Sequence, residues 1–521
     1  DLALDAGASG NVTLSGALTG GGAMTVRDGA VQSYAALTLT SLTISDATTS
    51  VTLGGALTTD NAVAITSGGT IVQNAALTAG STLTLSANSG VDLNQNVTSN
   101  GTTTVDTDAD DNGSGDFDLA SSKTFTTTNN ALTITANDFI LNGTSLTSGS
   151  STTTLLVSDS SSASTGTIGV GDTSGNMSIA KAELGRMTAS TLTIGASSGT
   201  GNITVNNLVT ANTANISTTL VLVTNSGISF SSNASAFTPG LDVDAGGTIA
   251  VDVGLTGTTF DIDSTGTTTI AADGDINASG AVAFGAVKSG TLTTSGDIDT
   301  SNDNITFTRA VTLGGNVDID TTGSSDGNIL FSSTIATAGN NLTLDAGTAG
   351  NVTLSGALTG GGAMTVRDGE VQSYAVLTVD SLTISDATTS VTLNGALTAD
   401  GAVDIDSGGT IAINAAINTN SSASGTIAID GDGTTTIAAA GDINAGGAVS
   451  FGAAKSGTLT TSGDIVTSND NITFTRAVTL GGNVDIDTTG SSDGNILFSS
   501  TIATAGNNLT LDGGTAGNVT L

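Results

Sequence analysis

The sequence predicts an all-β chain wound into a long parallel β-solenoid, with coils of about 20–25 residues. Three observations support this fold class: long internal repeats, short apolar stretches that recur at a nearly constant interval, and a shortage of helix-forming residues. The 521 residues include 71 Gly, a single Pro and no Cys, His or Trp. Because stacked short repeats share one continuous core, such chains form elongated objects rather than single globules.

The long repeats come first. Thr300 to Asp345 is identical over 46 residues to Thr467 to Asp512, a shift of 167, and Gly10 to Gly29 recurs at Gly350 to Gly369, a shift of 340. The chain therefore holds about three cassettes, and it starts and stops at the same phase, as expected of a window cut from a longer chain. We predict cassettes at 1–171 (with an Asp-rich loop at 106–118), 172–344 (diverged) and 345–511, with a further one beginning at 512–521.

A shorter period lies inside each cassette. Ile305, Ile329 and Val352 begin equivalent strands in successive periods, with Gly, Asn, Asp and Ser turns between the strands. Within one strand, alternation places Val317 and Ile319 inside and the intervening aspartates outside. About 25 such coils fit the chain, and a strand spacing of about 4.8 Å would make them a rod on the order of 120 Å long.

Asparagine precedes several of these strands, at Asn304, Asn328 and Asn351. Stacked at one corner, these side chains would form an amide ladder from coil to coil. The alternative is that Asn is only a common turn residue. The one helix-compatible stretch, Ile179 to Met187, is predicted not to be helical, because the chain around it is rich in strand and turn formers.

The middle cassette carries a family resemblance. Leu192-Thr-Ile194 is followed by Gly201-Asn-Ile-Thr-Val205, and GNhTh strands of this kind (h, hydrophobic) recur along the chain. This pattern resembles the filamentous-haemagglutinin-like group, the large β-strand-repeat exoproteins of bacteria. The resemblance implies a right-handed parallel β-helix that is exported to the cell surface and acts as a fibre or adhesin. It supplies no catalytic residues.

Charge restricts the partners. Of 46 acidic residues, 44 are Asp and only Glu183 and Glu370 are Glu; with nine basic residues, the net charge is −37. Nucleic-acid binding needs a basic face, so it is not predicted, and an anionic membrane surface is disfavoured for the same reason. The sequence contains no run of 18 apolar residues, so no transmembrane segment is predicted in it. We expect an extracellular or cell-surface location.

Catalytic motifs are scarce. Without His or Cys, Ser-His-Asp and Cys-His catalysis and ordinary zinc sites are excluded. A carboxylate-pair, polysaccharide-acting enzyme remains an alternative because Asp is plentiful. Sugar sites usually include aromatic platforms, however, and the recurrent Phe residues alternate with Thr or Ser as core residues do: Phe284/Phe451, Phe307/Phe474 and Phe331/Phe498. An ice-binding Thr face is a further alternative, weakened because coil length varies and Asp interrupts the Thr pattern. We predict that the chain is not an enzyme.

One motif suggests a ligand. Asp108, Asp110 and Asn112 with Gly113 follow the D-x-[DN]-x-[DN]-G start of a calcium loop, and Asp116 comes shortly after. The Glu expected at loop position 12 is absent, since Leu119 stands there. The candidate metal ligands are Asp108, Asp110, Asn112 and Asp116, and calcium is the candidate cofactor. The alternative is that this segment is only a solvated turn.

We therefore predict a structural protein of an extracellular or cell-surface fibre, a rigid repetitive rod used as an adhesin stalk or filament. The alternative is a self-assembling surface-layer or sheath subunit. Self-association, end to end or lateral, is the expected partnership. A host-cell, surface or polysaccharide ligand is the other candidate partner.

Overall fold

A computed structural model describes residues 1–158, 166–285, 288–420, 424–452 and 455–521. Its contacts group into two compact units, Asp1–Thr268 (unit 1) and Thr269–Leu521 (unit 2). Together they contain about 24 turns of parallel β-solenoid with roughly 21 residues per turn, and helix accounts for only 2% of the residues that the structure describes. The predicted fold class and coil length are thus confirmed, whereas the cassette boundaries stay a prediction.

In unit 1, successive turns place three short strands on three stacked faces. Leu57–Thr59, Val63–Ser67 and Thr70–Gln73 form one such turn, and each pairs in parallel with the corresponding strand of the next turn. The first face holds Leu2–Leu4, Ala23–Val26, Val63–Ser67, Leu83–Ala87, Thr103–Asp106, Leu132–Ala136, Thr152–Val157, Gly240–Ala245 and Phe260–Ser264. The second holds Val12–Leu14, Gly29–Tyr34, Thr70–Gln73, Val91–Leu93, Phe117–Leu119 and Phe139–Leu141.

The third face of unit 1 holds Leu37–Leu39, Leu57–Thr59, Leu77–Ala79, Val97–Ser99, Thr124–Thr126 and Ser145–Thr147. Longer strands that bend from one face to the next are Ser41–Leu53, Met187–Ala196 and Ile216–Thr224. A separate stack contains Gly166–Gly171, Met177–Ile179, Thr200–Asn206, Ile228–Phe230 and Ile249–Val251, and Ser235–Ala236 pairs with Leu255–Gly257. The strand Thr268–Ile270 lies at the division between the units.

Unit 2 has the same three-faced turn. Its first face holds Val282–Phe284, Ile305–Phe307, Ile329–Phe331, Val352–Leu354, Thr410–Ile413, Thr435–Ile437, Leu459–Thr461, Val478–Leu480 and Ile502–Ala503. Its second face holds Leu292–Thr294, Val311–Leu313, Ile335–Ala336, Leu358–Thr359, Leu377–Val379, Leu397–Ala399, Ile417–Thr419, Ile443–Ala445, Ile465–Thr467, Val484–Asp487 and Leu509–Asp512.

The third face of unit 2 holds Ile276–Ala278, Ile298–Thr300, Val317–Asp320, Leu342–Asp345, Val403–Ser407, Ile427–Gly431, Val449–Phe451, Ile472–Phe474, Ile496–Phe498 and Val519–Thr520. Two longer strands, Ala363–Tyr374 and Ser381–Leu393, begin on the third face and end on the first.

Alternation of apolar and polar residues explains the core. In Val317–Asp320 the side chains of Val317 and Ile319 are buried, and the two aspartates are partly exposed, as predicted. Stacking in register then superimposes like residues, so that buried Phe284, Phe307 and Phe331 stack with centroids 5.3 and 4.2 Å apart. Because one turn cannot bury these side chains alone, each depends on its neighbours for a core.

Inward-facing hydroxyls complete the corners. Thr321 Oγ1 donates to the carbonyl of Gly327 at 2.7 Å, and Thr107 Oγ1 donates to that of Gly115 at 2.8 Å. Gly115 is required here, since a Cβ at this position would lie 1.7 Å from the carbonyl oxygen of Thr107. Buried Thr and Ser therefore satisfy turn carbonyls that would otherwise lack partners.

The stretch from Ile179 to Met187 contains a helical turn, Lys181–Leu184, so the prediction that it would not be helical was wrong. Glu183 explains it: one carboxylate oxygen accepts from the amide of Ala180 and the other from the amide of Leu141 in an earlier turn, both at 2.8 Å. Leu184 is buried beneath the turn. A second helical turn, Thr210–Thr213, contacts the first.

The identical repeats of unit 2 lie on different faces. Ile305–Phe307 belongs to the first face, yet its copy Ile472–Phe474 belongs to the third. The first face, followed from Ile305 through its pairings, reaches Val478, which is the copy of Val311 on the second face. A whole number of turns from Ile305 therefore leads to Val478 and not to Ile472, the copy of Ile305, which begins the preceding strand. The second copy of the repeat is thus displaced by one face relative to the first.

Candidate functional site

Asparagine ladders run along unit 2, as predicted. Asn304 Oδ1 accepts from the backbone amide of Asn328 at 2.8 Å and from its Nδ2 at 2.9 Å. Asn328 Oδ1 in turn accepts from the amide of Asn351 at 2.8 Å. The copy repeats the arrangement at Asn471, Asn495 and Asn518. Each ladder ties three successive turns together outside the strands.

A carboxylate ladder of the same kind was missed from the sequence. Asp275 Oδ1 accepts from the amide of Asp297 at 2.9 Å, and Asp297 Oδ1 accepts from the amide of Asp318 at 2.8 Å. The signal was present as Asp residues spaced by one turn, each just before or at the start of a strand. Asp therefore serves at this corner as Asn does at the other, and it adds negative charge.

Beside this ladder, outward-facing aspartates form a second column. Parallel pairing places Asp299 opposite Asp320 on one side and opposite Asn277 on the other, and Asp320 opposite Asp345. Burial, and then repulsion from Asp320 and neighbouring carboxylates, raises the pKa of Asp299 to about 6. A shallow cleft of about 170 Å³ opens at Asp299 and Asp320. Folding therefore brings these carboxylates closer together than they are in the unfolded chain, which increases their mutual repulsion.

Basic side chains pair with aspartates across turns. Arg367 Nη2 lies 2.9 Å from Asp318 Oδ2, and Lys455 Nζ lies 2.5 Å from Asp406 Oδ1. Arg476 is different, because it is almost fully buried: its Nη2 lies 3.2 Å from Asp430 and its Nη1 3.1 Å from Thr435 Oγ1. These pairs bridge coils rather than converge on one centre.

The predicted calcium loop is held by its own hydrogen bonds. Asp108 is fully buried; its Oδ1 accepts from the amide of Asn112 at 3.1 Å and its Oδ2 from the amide of Gly113 at 2.8 Å. Ser158 Oγ donates to the same Oδ2 at 2.8 Å. Asp108 therefore acts as the internal hydrogen-bond acceptor that fixes the loop.

The other predicted ligands are engaged in hydrogen bonds of their own. Asp110 accepts from Asn112 Nδ2 at 2.8 Å, whereas Asp116 Oδ1 accepts from the amide of Asp138 at 3.2 Å, one turn along. In the described part of the chain, no group of three or more carboxylates has a geometry that could hold a metal ion. That absence does not test the predicted ligand set, because the set includes the amide oxygen of Asn112. Calcium binding by the loop therefore stays a prediction.

The aromatic side chains lie in the core. Phe451, Phe474 and Phe498 stack with centroids 5.3 and 4.4 Å apart, and this copy of the first Phe stack is likewise buried. Tyr374 Oη donates to Gln372 Oε1 at 2.7 Å, and burial raises the tyrosine pKa. The interpretation of the recurrent Phe residues as core is confirmed, since all six are buried and none of their rings is exposed to stack on a sugar.

No protein-family model matches the chain, and searches of curated proteins and of solved structures find no match either. Within the described residues, no helix is both long and apolar enough to cross a membrane. The fold defines the chain as a parallel β-solenoid repeat protein. Its arrangement suits a mechanical role, since the recurrent polar contacts bind one turn to the next.

Proposed function

We propose that this chain is a structural element of an extracellular or cell-surface fibre, where it spaces or presents an adhesive region or builds the filament itself. The observation that carries the proposal is the stacking of turns in each unit. Three parallel strand stacks, amide and carboxylate ladders and buried aromatic stacks all run in the same direction. The filamentous-haemagglutinin-like resemblance supports the same role.

The physical argument rests on backbone protection. Strand amides and carbonyls are bonded to the turns on either side, which leaves few sites for a protease and requires several contacts to break together. The charge of −37 keeps such a surface hydrated and repels other copies. Divalent cations in the surroundings would reduce that repulsion and permit lateral contact.

The test is electron cryotomography of the cells that produce the protein, labelled with gold-conjugated antibodies raised against the purified chain. Labelled thin rods projecting from the envelope would support a stalk or filament. A labelled lattice of aligned subunits would support the surface-layer or sheath alternative. Label confined to the cell interior would contradict an extracellular structural role, and cells lacking the gene serve as the control.

A further inference from the structure

The two copies in unit 2 differ at one informative position. Lys288 to Asp345 and Lys455 to Asp512 share every residue except one, Asp299 in the first copy and Val466 in the second. Their immediate neighbours also correspond: Asp299 pairs with an Asn and an Asp on the flanking strands, and so does Val466. The chain thus contains its own matched comparison of a carboxylate and an apolar side chain.

Asp299 lies between Asn277 on one flanking strand and Asp320 on the other, and further carboxylates surround this pair. Its flanking strands bring Asp320 and, one turn further, Asp345, and the charges acting on Asp299 are those of the four aspartates Asp320, Asp297, Asp318 and Asp275. The nearby Arg367 is engaged with Asp318. Because adjacent parallel strands are about 4.8 Å apart, stacked carboxylates cannot separate without opening the turns.

We propose that the Asp299 column is an acid-responsive element of unit 2, in which protonation of Asp299 in mildly acidic surroundings tightens the stacked turns and ionisation at neutral pH loosens them. The element goes beyond the structural role proposed above and does not depend on where the protein resides. Its geometry follows from in-register stacking, since any carboxylate at position 299 must face Asp320.

The direction follows from proton linkage. Burial and then the neighbouring carboxylates raise the pKa of Asp299 from 3.8 to about 6, so the folded state holds this proton more tightly than the unfolded state. The resulting stabilisation is fully present below the ordinary pKa and is lost as the pH rises through about 6. Burial also raises the pKa of Asp318 and Asp345, which act in the same direction.

The experiment is hydrogen exchange of the whole chain, measured by mass spectrometry at about pH 5 and about pH 7.5 and corrected for intrinsic exchange rates. Peptides that include residue 299 or residue 466 differ in mass, so the two copies can be told apart. We expect protection around Ile298–Thr300 to be about fivefold greater at the lower pH, which allows for solvent screening of a half-buried group. The peptide with Val466 should change by less than about twofold.

Variants test the cause. Asp299→Asn and Asp299→Val should both remove most of the pH dependence and leave only the smaller contribution of Asp318 and Asp345. Asp299→Val introduces the residue that the second copy already accommodates. The reciprocal Val466→Asp should confer the dependence on the second copy. Asp400→Asn, which removes an exposed carboxylate of the same unit, should leave it unchanged. Equal pH dependence in Asp299→Asn and the parent chain, or none in the parent, would overturn the proposal.

Discussion

Single asparagine side chains connect neighbouring turns. Asn328 both donates to Asn304 and accepts from the amide of Asn351, so Asn328→Ala removes two coil-to-coil bonds. We expect the amide of Asn351 to lose about 1 kcal/mol of protection, the usual net value of such a bond. Exchange of a peptide that covers Ala346 and Asn351 measures this, because residue 346 distinguishes it from the second copy.

The control for that measurement is Thr312→Ala, which shortens an exposed strand side chain outside the asparagine ladder. If both variants alter protection of Asn351 equally, the ladder contributes nothing specific to the stacking.

Substitution of the buried Arg476 should reduce local stability more than the loss of an asparagine ladder bond does. Arg476→Ala would leave the partly buried Asp430 without its Arg476 partner, and we expect local stability to fall by about 3 kcal/mol. The double variant Asp430→Asn with Arg476→Met should recover much of the loss. Hydrogen exchange around Ile427–Gly431 provides the measurement.

Lys455→Ala is the matched comparison, because the Lys455–Asp406 pair is more exposed. It should cost less than about 1 kcal/mol. An equally small effect of Arg476→Ala would show that burial adds nothing to this ion pair.

At the scale of elements, the Asp108 loop should depend on its carboxylate even without metal. Asp108→Ala removes the acceptor for two loop amides and for Ser158, so exchange in the loop should rise about tenfold in calcium-free buffer. Asp110→Asn, which alters an exposed predicted ligand, should leave the loop intact.

Calorimetry with millimolar calcium on Asp110→Asn and the parent chain then tests the predicted ligand set separately from folding. Heat in the parent that Asp110→Asn removes would support calcium binding. Identical titrations without heat would end that prediction.

Periodicity predicted much at this scale, and its limits are physical. Alternation identified which side of a strand is buried, as with Val317 and Ile319, and the Asn spacing predicted the ladders. It could not place Asp108 in the interior, since its partner Ser158 lies 50 residues away in sequence. Nor could it predict the helical turn at Lys181–Leu184, which depends on an amide of Leu141 from another turn.

The choice among three faces also escaped prediction. Alternation tells inside from outside, but it carries no information on which face a strand joins, because all three faces accept the same short apolar pattern. The face depends on the accumulated length of all preceding turns. Identical sequences such as Ile305–Phe307 and Ile472–Phe474 can therefore occupy different faces while keeping the same neighbours.

At the scale of the whole molecule, the identity of the two copies predicts that a complete repeat can be removed without loss of the fold. Deleting residues 300–466 joins Asp299 to Thr467, and the next 46 residues then read as in the parent chain. We expect unchanged β-structure per residue by circular dichroism and a melting temperature within about 3 °C of the parent.

The control deletion removes residues 300–456 and joins Asp299 to Gly457, which breaks the strand pattern at the joint. It should lower the melting temperature or cause aggregation. If both deletions behave alike, the repeat is not an interchangeable length of solenoid.

The displacement by one face also sets the directions in which the two copies in unit 2 present their surfaces. The surface around Asn304 and its copy around Asn471 have the same chemistry but look outward in different directions. A partner that recognises this surface would find two docking points on separate sides of the unit. A unit with two such docking points on different sides can cross-link its partners into a two-dimensional network. If both docking points lay on the same side, the partners would be arranged only in a single row.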